Sequence, residues 1–238
     1  MSVQDEYLAG KVLLVDKPLG WTSFQAVNKI KRTLISHLKL PKRFKIGHAG
    51  TLDPLATGLL VICTGKFTKR IDQFQAEEKE YTGSIILGAT TPSYDLETEI
   101  DERFDLAGIT EEAIRHATHQ FTGPIDQYPP AHSAIRMGGE RVYEKARRGE
   151  VVEMKARRVT ISQFEITGIV LPSVHFRVVC SKGPYIRSLA HDFGRALGIG
   201  AHLGSLCRTR SGSFNVAEAW KLDELVASIQ ALPGSEPA

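Results

Sequence analysis

Two hydrophobic periods run along this chain, and each predicts a different kind of element. Apolar residues that recur every three or four positions are typical of an amphipathic helix, whereas alternating or continuous apolar residues are typical of a strand. The helical period is found at Phe24, Val27, Ile30 and Leu34, and again at Ile186, Leu189, Ala190, Phe193 and Leu197. Thr22 or Ser23 can cap the first of these helices, and Gly198 ends the second.

Other helices are predicted by their ends rather than by a long apolar stripe. Thr110 is a candidate cap for a helix whose first turn contains Glu111 and Glu112, because carboxylates there favour the helix dipole. Tyr128-Pro129-Pro130 cannot be helical, so we expect an extended loop over residues 124–138. Further helices are predicted over residues 67–74, 141–148 and 222–229.

The strand period appears in several segments. Leu59–Cys63 is a continuous apolar run that predicts a buried strand, and residues 174–180 alternate as a half-buried strand does. Over residues 159–166 the alternation changes phase near Ser162-Gln163, which predicts a β-bulge. The remaining strands are predicted over residues 11–15, 80–87 and 203–214.

The order of these elements indicates the fold class. The strands cluster without a regular strand–helix–strand alternation, so we predict an α+β fold with a mixed, largely antiparallel sheet flanked by helices. We expect a single domain over residues 1–238, with an insertion or flap at about 124–152 and a short C-terminal segment at about 200–238.

Composition excludes several classes of protein. A hydrophobic share of 42% and a charged share of 24% are ordinary for a globular protein, and no apolar run approaches the roughly 20 residues that span a bilayer. The three cysteines have no paired spacing, which predicts reduced thiols in a cytoplasmic protein.

The distribution of charge is more informative than the net charge of +3. No Asp or Glu occurs between Pro18 and Leu52, and the same interval contains Lys29, Lys31, Arg32, Lys39, Lys42, Arg43 and Lys45. One interpretation is a solvated helix face followed by a loop. The other is a phosphate-binding surface, because a polyanion needs a region without carboxylates.

Common cofactor and nucleophile motifs are absent from the sequence. There is no His-Glu-x-x-His, no Gly-x-Ser-x-Gly and no Gly-x-x-x-x-Gly-Lys-Ser/Thr. The most unusual stretch is Gly47–Gly58, whose glycines and proline predict a shaped loop ahead of the buried strand. Among its side chains, His48 and Asp53 have the strongest potential for chemistry.

Five motifs resemble those of one family when they are taken in order. They are Asp16-Lys17-Pro18-x-Gly-x-Thr-Ser, Gly47-His48-Ala49-Gly50-Thr51-Leu52-Asp53-Pro54-x-Ala-x-Gly, Lys79-Glu80-Tyr81, Gln127-x-Pro129-Pro130-x-x-Ser133-Ala134 and Cys180-Ser181-Lys182-Gly183-x-Tyr185-Ile186-Arg187-Ser188-Leu189. Together they resemble the TruB branch of the RNA pseudouridine synthases, which modify uridine 55 in the T loop of tRNA. The resemblance covers about residues 11–214.

The resemblance implies the pseudouridine synthase fold, a reaction without cofactor or metal, and three catalytic residues. It makes Asp53 the catalytic carboxylate, which is ionised at neutral pH if its pKa is near 4. The resemblance also implies that Arg187 forms an ion pair with that carboxylate and that the Tyr81 ring stacks on the target base. Arg187 also falls in the first turn of its predicted helix, where a cation is unfavourable by roughly 0.3–1 kcal/mol unless a carboxylate offsets it.

The same resemblance implies the substrate-binding residues. His48 would occupy the space left by an extruded base, and Tyr185 and Leu206 would form walls of the uracil pocket. Lys17 would either meet a phosphate or support the aspartate loop, two roles that the sequence leaves open. Lys42 and Arg43 belong to the basic interval that we expect to contact the RNA backbone.

The implied partner is the T-arm stem-loop of tRNA, without a membrane or an obligate protein partner, and we expect a monomer. Many relatives have a C-terminal PUA domain, which we do not expect here. An RNA-binding or tRNA-folding protein is the alternative from a different class. Guide-RNA-directed modification is disfavoured, because the sequence has no long extensions for partner proteins.

Overall fold

Helices and strands follow one another irregularly in the computed structural model, which describes residues 2–130, 136–137, 140–141 and 155–233. The described helices are α1 Val3–Ala9, α2 Ser23–His37, α3 Ile71–Ala76, α4 Glu111–Ala117, α5 Ile186–Ala196 and α6 Leu222–Gln230. Three short 3-10 helices cover Gly65–Arg70, Thr118–Phe121 and Val216–Glu218.

The described strands confirm the α+β class. They are β1 Val12–Lys17, β2 Ile46–His48, β3 Ala56–Thr64, β4 Lys79–Leu87, β5 Ala89–Thr90, β6 Glu102–Arg103, β7 Gly123–Gln127, β8 Arg136–Met137, β9 Glu140–Arg141, β10 Arg157–Val170, β11 Ser173–Cys180, β12 Ala201–Ser211, β13 Phe214–Asn215 and β14 Trp220–Lys221. Contacts group the chain into a first unit, Met1–Glu80 with Cys207–Ala238, and a second unit, Tyr81–Leu206. The single domain that the sequence suggested stays a prediction.

The sheet of the first unit is mixed. Its strands lie in the order β14, β1, β3 and β12, with β2 on β3 and β13 on β12. Strand β1 is parallel to β14 and antiparallel to β3. The combination confirms the predicted mixed sheet.

Strand β3 is buried on both faces, which explains its continuous apolar sequence. Leu60 and Ile62 pack into a cluster that includes Ile30 and Leu34 of α2 and Leu225 of α6. Leu59 and Val61 point to the other face and pack in a cluster that is bordered by Phe74 and Phe214. The side chains of Leu59–Ile62 therefore face apolar neighbours on both sides of the sheet.

The strands of the second unit lie in the order β12, β4, β11, β10 and β7, and β10 is antiparallel to both β11 and β7. The register of β10 against β11 shifts between Ile161 and Gln163, which confirms the predicted bulge. Helix α5 packs its apolar stripe on this sheet, and the rings of Phe193 and Phe164 lie 5.4 Å apart.

Several sequence expectations need correction. Helix α1 was not predicted, although Ser2 and Asp5 form a capping box at its start. Residues 124–127 are not a loop, because they belong to β7 and pair with β10. The strand expected over residues 203–214 turns back at Gly212, so its end is the separate strand β13.

Other expectations shift or fall outside the described residues. The helix expected over 67–74 is a 3-10 helix followed by α3. Of the basic helix expected over 141–148, Arg141 lies in β9 and the rest is outside the described residues. The flap at about 124–152 lies mostly outside them too, and stays a prediction.

One testable consequence concerns Gly58, near the start of β3. Its φ is +97°, and an added Cβ would lie 2.4 Å from the Arg208 backbone oxygen. Gly58→Ala therefore combines left-handed backbone strain with overpacking, and we expect a loss of about 2–5 kcal/mol in the free energy of unfolding. The measurement is urea denaturation followed by circular dichroism.

Gly108 provides the matched control. Its φ is +84°, but nothing lies within 4 Å of an added Cβ. Gly108→Ala should therefore cost only the backbone strain, about 1–2 kcal/mol. Equal losses in the two variants would contradict the close approach at Gly58.

Candidate functional site

The loop that contains Asp53 connects β2 to β3 and is fixed by backbone hydrogen bonds on both sides. Leu52 N–H donates to the Ser23 hydroxyl at the start of α2, at 2.8 Å, and the same hydroxyl donates to the Leu52 carbonyl at 3.1 Å. On the other side, Gly20 N–H donates to the Pro54 carbonyl and Ala56 N–H donates to the Asp53 carbonyl. These hydrogen bonds hold Asp53 on a fixed turn. Because Asp53 is only half-buried, it is still accessible to a ligand.

Lys17 is a buried cation that donates a hydrogen bond to this loop. Its side chain is 0% exposed, and its ammonium donates to the carbonyls of Pro18, Trp21 and Pro54. Burial lowers the pKa of Lys17 from 10.5 to about 8, and the nearby Asp53 charge partly opposes this shift. Of the two roles left open by the sequence, this geometry favours support of the aspartate loop over contact with a phosphate.

Arg208 is a second buried cation, and sequence reasoning did not single it out as a site residue. Its guanidinium is 1% exposed and donates to the Leu59 carbonyl at 2.7 Å and to the Gly50 carbonyl at 3.1 Å. These two carbonyls flank the loop on either side of Asp53. No local signal could identify Arg208, because its hydrogen-bond partner Leu59 lies 149 positions away in the chain.

His48 lies on β2, in the same unit as Asp53, and is half-buried. Burial lowers the pKa of His48, and the positive charge of Arg208 lowers it further, whereas a hydrogen bond with the Gly50 backbone raises it. Because its pKa is lowered from the ordinary value for histidine, the imidazole is neutral at neutral pH. Such a ring suits insertion among stacked bases better than an ion pair with phosphate.

Lys42 and Arg43 are exposed on a turn that precedes β2. The turn is closed by a hydrogen bond from Phe44 N–H to the Pro41 carbonyl at 2.8 Å. Phe44 is buried in the core of the first unit, so the turn is anchored there. Both cations are therefore presented to solvent from a fixed backbone.

The other predicted site residues belong to the second unit. Tyr81 and Leu206 are partly buried and pack against the apolar core of that unit. Tyr185 immediately precedes α5, and both of its backbone groups are bound by the Gln127 amide, with N–H to oxygen at 2.7 Å and carbonyl to nitrogen at 3.1 Å. Gln127 thus fixes the chain just ahead of Arg187.

Arg187 lies in the first turn of α5, as predicted, and is 4% exposed. Its Nε lies 3.6 Å from a carboxylate oxygen of Asp95, and its Nη1 donates to the Ser93 carbonyl at 3.2 Å. Asp95 is 5% exposed and was not predicted, because it lies in an acidic irregular segment without a distinguishing pattern. The Asp95 carboxylate therefore offsets the unfavourable interaction between the Arg187 cation and the positive end of the helix dipole.

Among residues 2–130, 136–137, 140–141 and 155–233, no group of three or more His, Cys, Asp or Glu side chains could hold a metal ion. No helix within those ranges is both long enough and apolar enough to cross a membrane.

The buried pair of Arg187 and Asp95 makes a stability prediction. Asp95→Ala breaks a buried ion pair by removing one partner, so we expect a loss of about 3–5 kcal/mol in the free energy of unfolding. The control is Asp126→Ala, which removes an ion pair to Arg158 whose partners are 63% and 64% exposed. That variant should lose less than about 1 kcal/mol. Similar losses measured by urea denaturation would refute the buried pair.

The lowered pKa of Lys17 predicts a pH dependence of stability. Between pH 8 and 10.5 the unfolded chain binds more protons at Lys17 than the folded chain, so its contribution to stability rises with pH in that window. Relative to Lys17→Met, the wild-type protein should gain about 2 kcal/mol from pH 7.5 to pH 10. The free energy of unfolding is measured for both proteins at both pH values. Parallel pH profiles would show that the charge is not buried.

Two family profiles match consecutive parts of the chain. The N-terminal domain of the TruB family pseudouridylate synthases matches residues 36–186, and the C-terminal domain of tRNA pseudouridylate synthase B matches residues 187–233. The tRNA pseudouridine synthase B of Flavobacterium johnsoniae is 59% identical over 226 residues, which cover 95% of this chain and 99% of the relative. That of Phocaeicola vulgatus is 51% identical over 214 residues, which cover 90% and 91%.

Solved structures show the same similarity at lower identity. A chain of a Cbf5-Nop10-Gar1 complex superposes with a TM-score of 0.71 at 31% identity, and covers 95% of this chain. A chain of an H/ACA RNP bound to a substrate RNA containing 2'-deoxyuridine gives a TM-score of 0.67 at 30% identity over 93% of this chain. This chain spans only 56% and 54% of those two chains. The profiles and the curated relatives together show that the chain belongs to the TruB family of pseudouridylate synthases.

Proposed function

We propose that this protein isomerises uridine 55 in the T loop of tRNA to pseudouridine. The observation that carries the proposal is the Asp53 loop, which two buried cations and the start of α2 hold rigid in a TruB-family chain. The relatives' name, tRNA pseudouridine synthase B, supports the substrate class.

The reaction fits the side chains that are present. It breaks the bond between N1 of uracil and C1′ of ribose, turns the base, and forms a bond from C5 to C1′. C5 gives up its proton to solvent and N1 takes one up, so the product is an isomer of uridine. Because nothing is oxidised, reduced or added overall, no cofactor is required. Asp53 supplies the carboxylate beside the sugar.

The target base must first leave its stack, at a cost of a few kcal/mol. We infer that His48, neutral and held on β2, fills the vacated position in the RNA loop. Tyr81 stacks on the extruded uracil, and Tyr185 and Leu206 add aromatic and apolar walls. The anchoring of Tyr81 and Leu206 in the apolar core of the second unit supports these roles, since rigid walls orient the base.

Arg187 is proposed as the cation that keeps the catalytic carboxylate ionised and oriented, as the resemblance implies. Its low exposure and its two contacts with the 93–95 segment support a fixed orientation. Lys17 is proposed to act through the loop rather than on the substrate. Lys42 and Arg43 are exposed and contribute contacts with RNA phosphates.

The proposed partner is the T-arm stem-loop of tRNA, bound by a monomer in the cytoplasm. The cysteines support a reducing compartment, since Cys63, Cys180 and Cys207 are all free thiols.

The decisive test uses tRNA transcripts labelled with tritium at C5 of uridine. Tritium must be released when C5 forms the new bond. We expect Asp53→Asn to abolish release, because a neutral amide cannot act as nucleophile or base, while tRNA binding measured by filter retention is kept. Asp126→Asn, at an exposed aspartate, is the control and should release tritium at the wild-type rate. Full release by Asp53→Asn would disprove the assignment of this residue.

A further inference from the structure

A concave basic pocket lies on the first unit, formed by segments that are far apart in sequence. The turn before β2 contributes Arg43 and Lys45, and the 3-10 helix after β3 contributes Lys66 and Lys69. We call this concavity the basic pocket, and its four cations are Arg43, Lys45, Lys66 and Lys69. Its volume is about 320 Å³, which is within the range of ligand-binding clefts.

Carboxylates of the described residues do not neutralise the four cations of the basic pocket. None of them forms a salt bridge with a carboxylate in the part of the chain that the structure describes. The acidic Glu6 of nearby α1 pairs instead with Lys11. Four like charges around one concavity repel one another, so an anionic occupant is electrostatically favoured.

The pocket also has an apolar side. Leu8 at the end of α1 is 39% exposed and lines it, and the buried ring of Phe44 lies in its wall. Clefts that follow a nucleic-acid backbone combine cations for phosphates with apolar surface for sugars and bases. The lining therefore suits a nucleic-acid segment better than a small inorganic anion, which needs no apolar wall.

The basic pocket is distant from the Asp53 loop. Gly65 lies in the pocket at one end of β3, whereas Ala56 and the adjacent Asp53 lie at the other end. Eight residue steps separate Ala56 from Thr64, and a strand rises about 3.3 Å per residue, so the separation is about 25 Å. A ligand in the pocket cannot be the nucleotide whose base reacts at Asp53.

We propose that the basic pocket binds phosphates of the tRNA backbone away from the reacting nucleotide. This inference rests on the proposed function for the identity of the RNA. The pocket then contributes to affinity and to the placement of the tRNA, and it makes no contribution to the chemical step.

The test is Lys66→Gln combined with Lys69→Gln, two exposed positions outside the basic interval that the sequence had indicated. Binding of full-length tRNA is measured by fluorescence anisotropy at several salt concentrations, and tritium release is measured at saturating tRNA. We expect the Kd to rise about tenfold and the salt slope to fall by about two, because two phosphate contacts are lost. The KM should rise with the Kd, and kcat should stay unchanged.

The control is Arg103→Gln, which removes one exposed positive charge from the second unit. This variant should leave both the Kd and the salt slope close to their wild-type values. An unchanged Kd and salt slope in the double variant would overturn the proposal. So would a loss of kcat at saturating tRNA. Failure of the wild-type protein to release tritium would instead reject the proposed function, and the anisotropy measurement would still decide whether the pocket binds RNA.

Discussion

Two buried cations hold the loop on which the proposed chemistry depends. Lys17 and Arg208 lie within the first unit and donate to carbonyls at Pro54, Gly50 and Leu59, before and after Asp53. A loop rich in glycine and proline cannot satisfy its carbonyls by regular pairing, so buried donors take over that role. Lys17 also places a positive charge near Asp53, the one carboxylate of the loop.

The same arrangement explains the properties of the neighbouring groups. Burial lowers the pKa values of both Lys17 and His48, and the charge of Arg208 adds to each shift. The histidine is therefore neutral while the lysine keeps its proton at neutral pH. The loop thus combines a neutral ring, suited to contact with bases, and a carboxylate near the buried cation of Lys17. The close approach of Gly58 to Arg208 shows how little space this packing leaves.

The second unit uses a buried charge in a different way. Arg187 is oriented by the Asp95 carboxylate and the Ser93 carbonyl, and Gln127 fixes the backbone immediately before the helix. In contrast, Arg43, Lys45, Lys66 and Lys69 are left without carboxylates in the described structure. The buried cations Lys17, Arg187 and Arg208 bind carbonyl or carboxylate groups of the protein itself, whereas the exposed cluster is available to a polyanion. This difference separates the residues that we propose shape the site from those that we propose hold the RNA.

The sequence by itself determined the features that depend on neighbours along the chain. Helical period and a Thr22 cap predict α2, the apolar run predicts β3, and the phase change near Ser162 predicts the bulge, because each is a local pattern. The motifs around Asp53 and Arg187 likewise indicated the family. Where prediction failed at residues 124–127, the cause was pairing with β10, a distant strand that local polarity does not reveal.

Only the tertiary structure decided which residues support those motifs. Arg208 reaches Leu59 across 149 positions, and Arg187 reaches Ser93 across 94. The two halves of the basic pocket are joined by the pairing of β2 with β3, which brings Ile46 opposite Thr64. The sequence left open whether Lys17 meets a phosphate or supports the aspartate loop, and its burial against the Pro54 carbonyl favours the loop. Such contacts are set by the sheet pairing and by the need to satisfy buried polar groups, and neither leaves a periodic signal in the sequence.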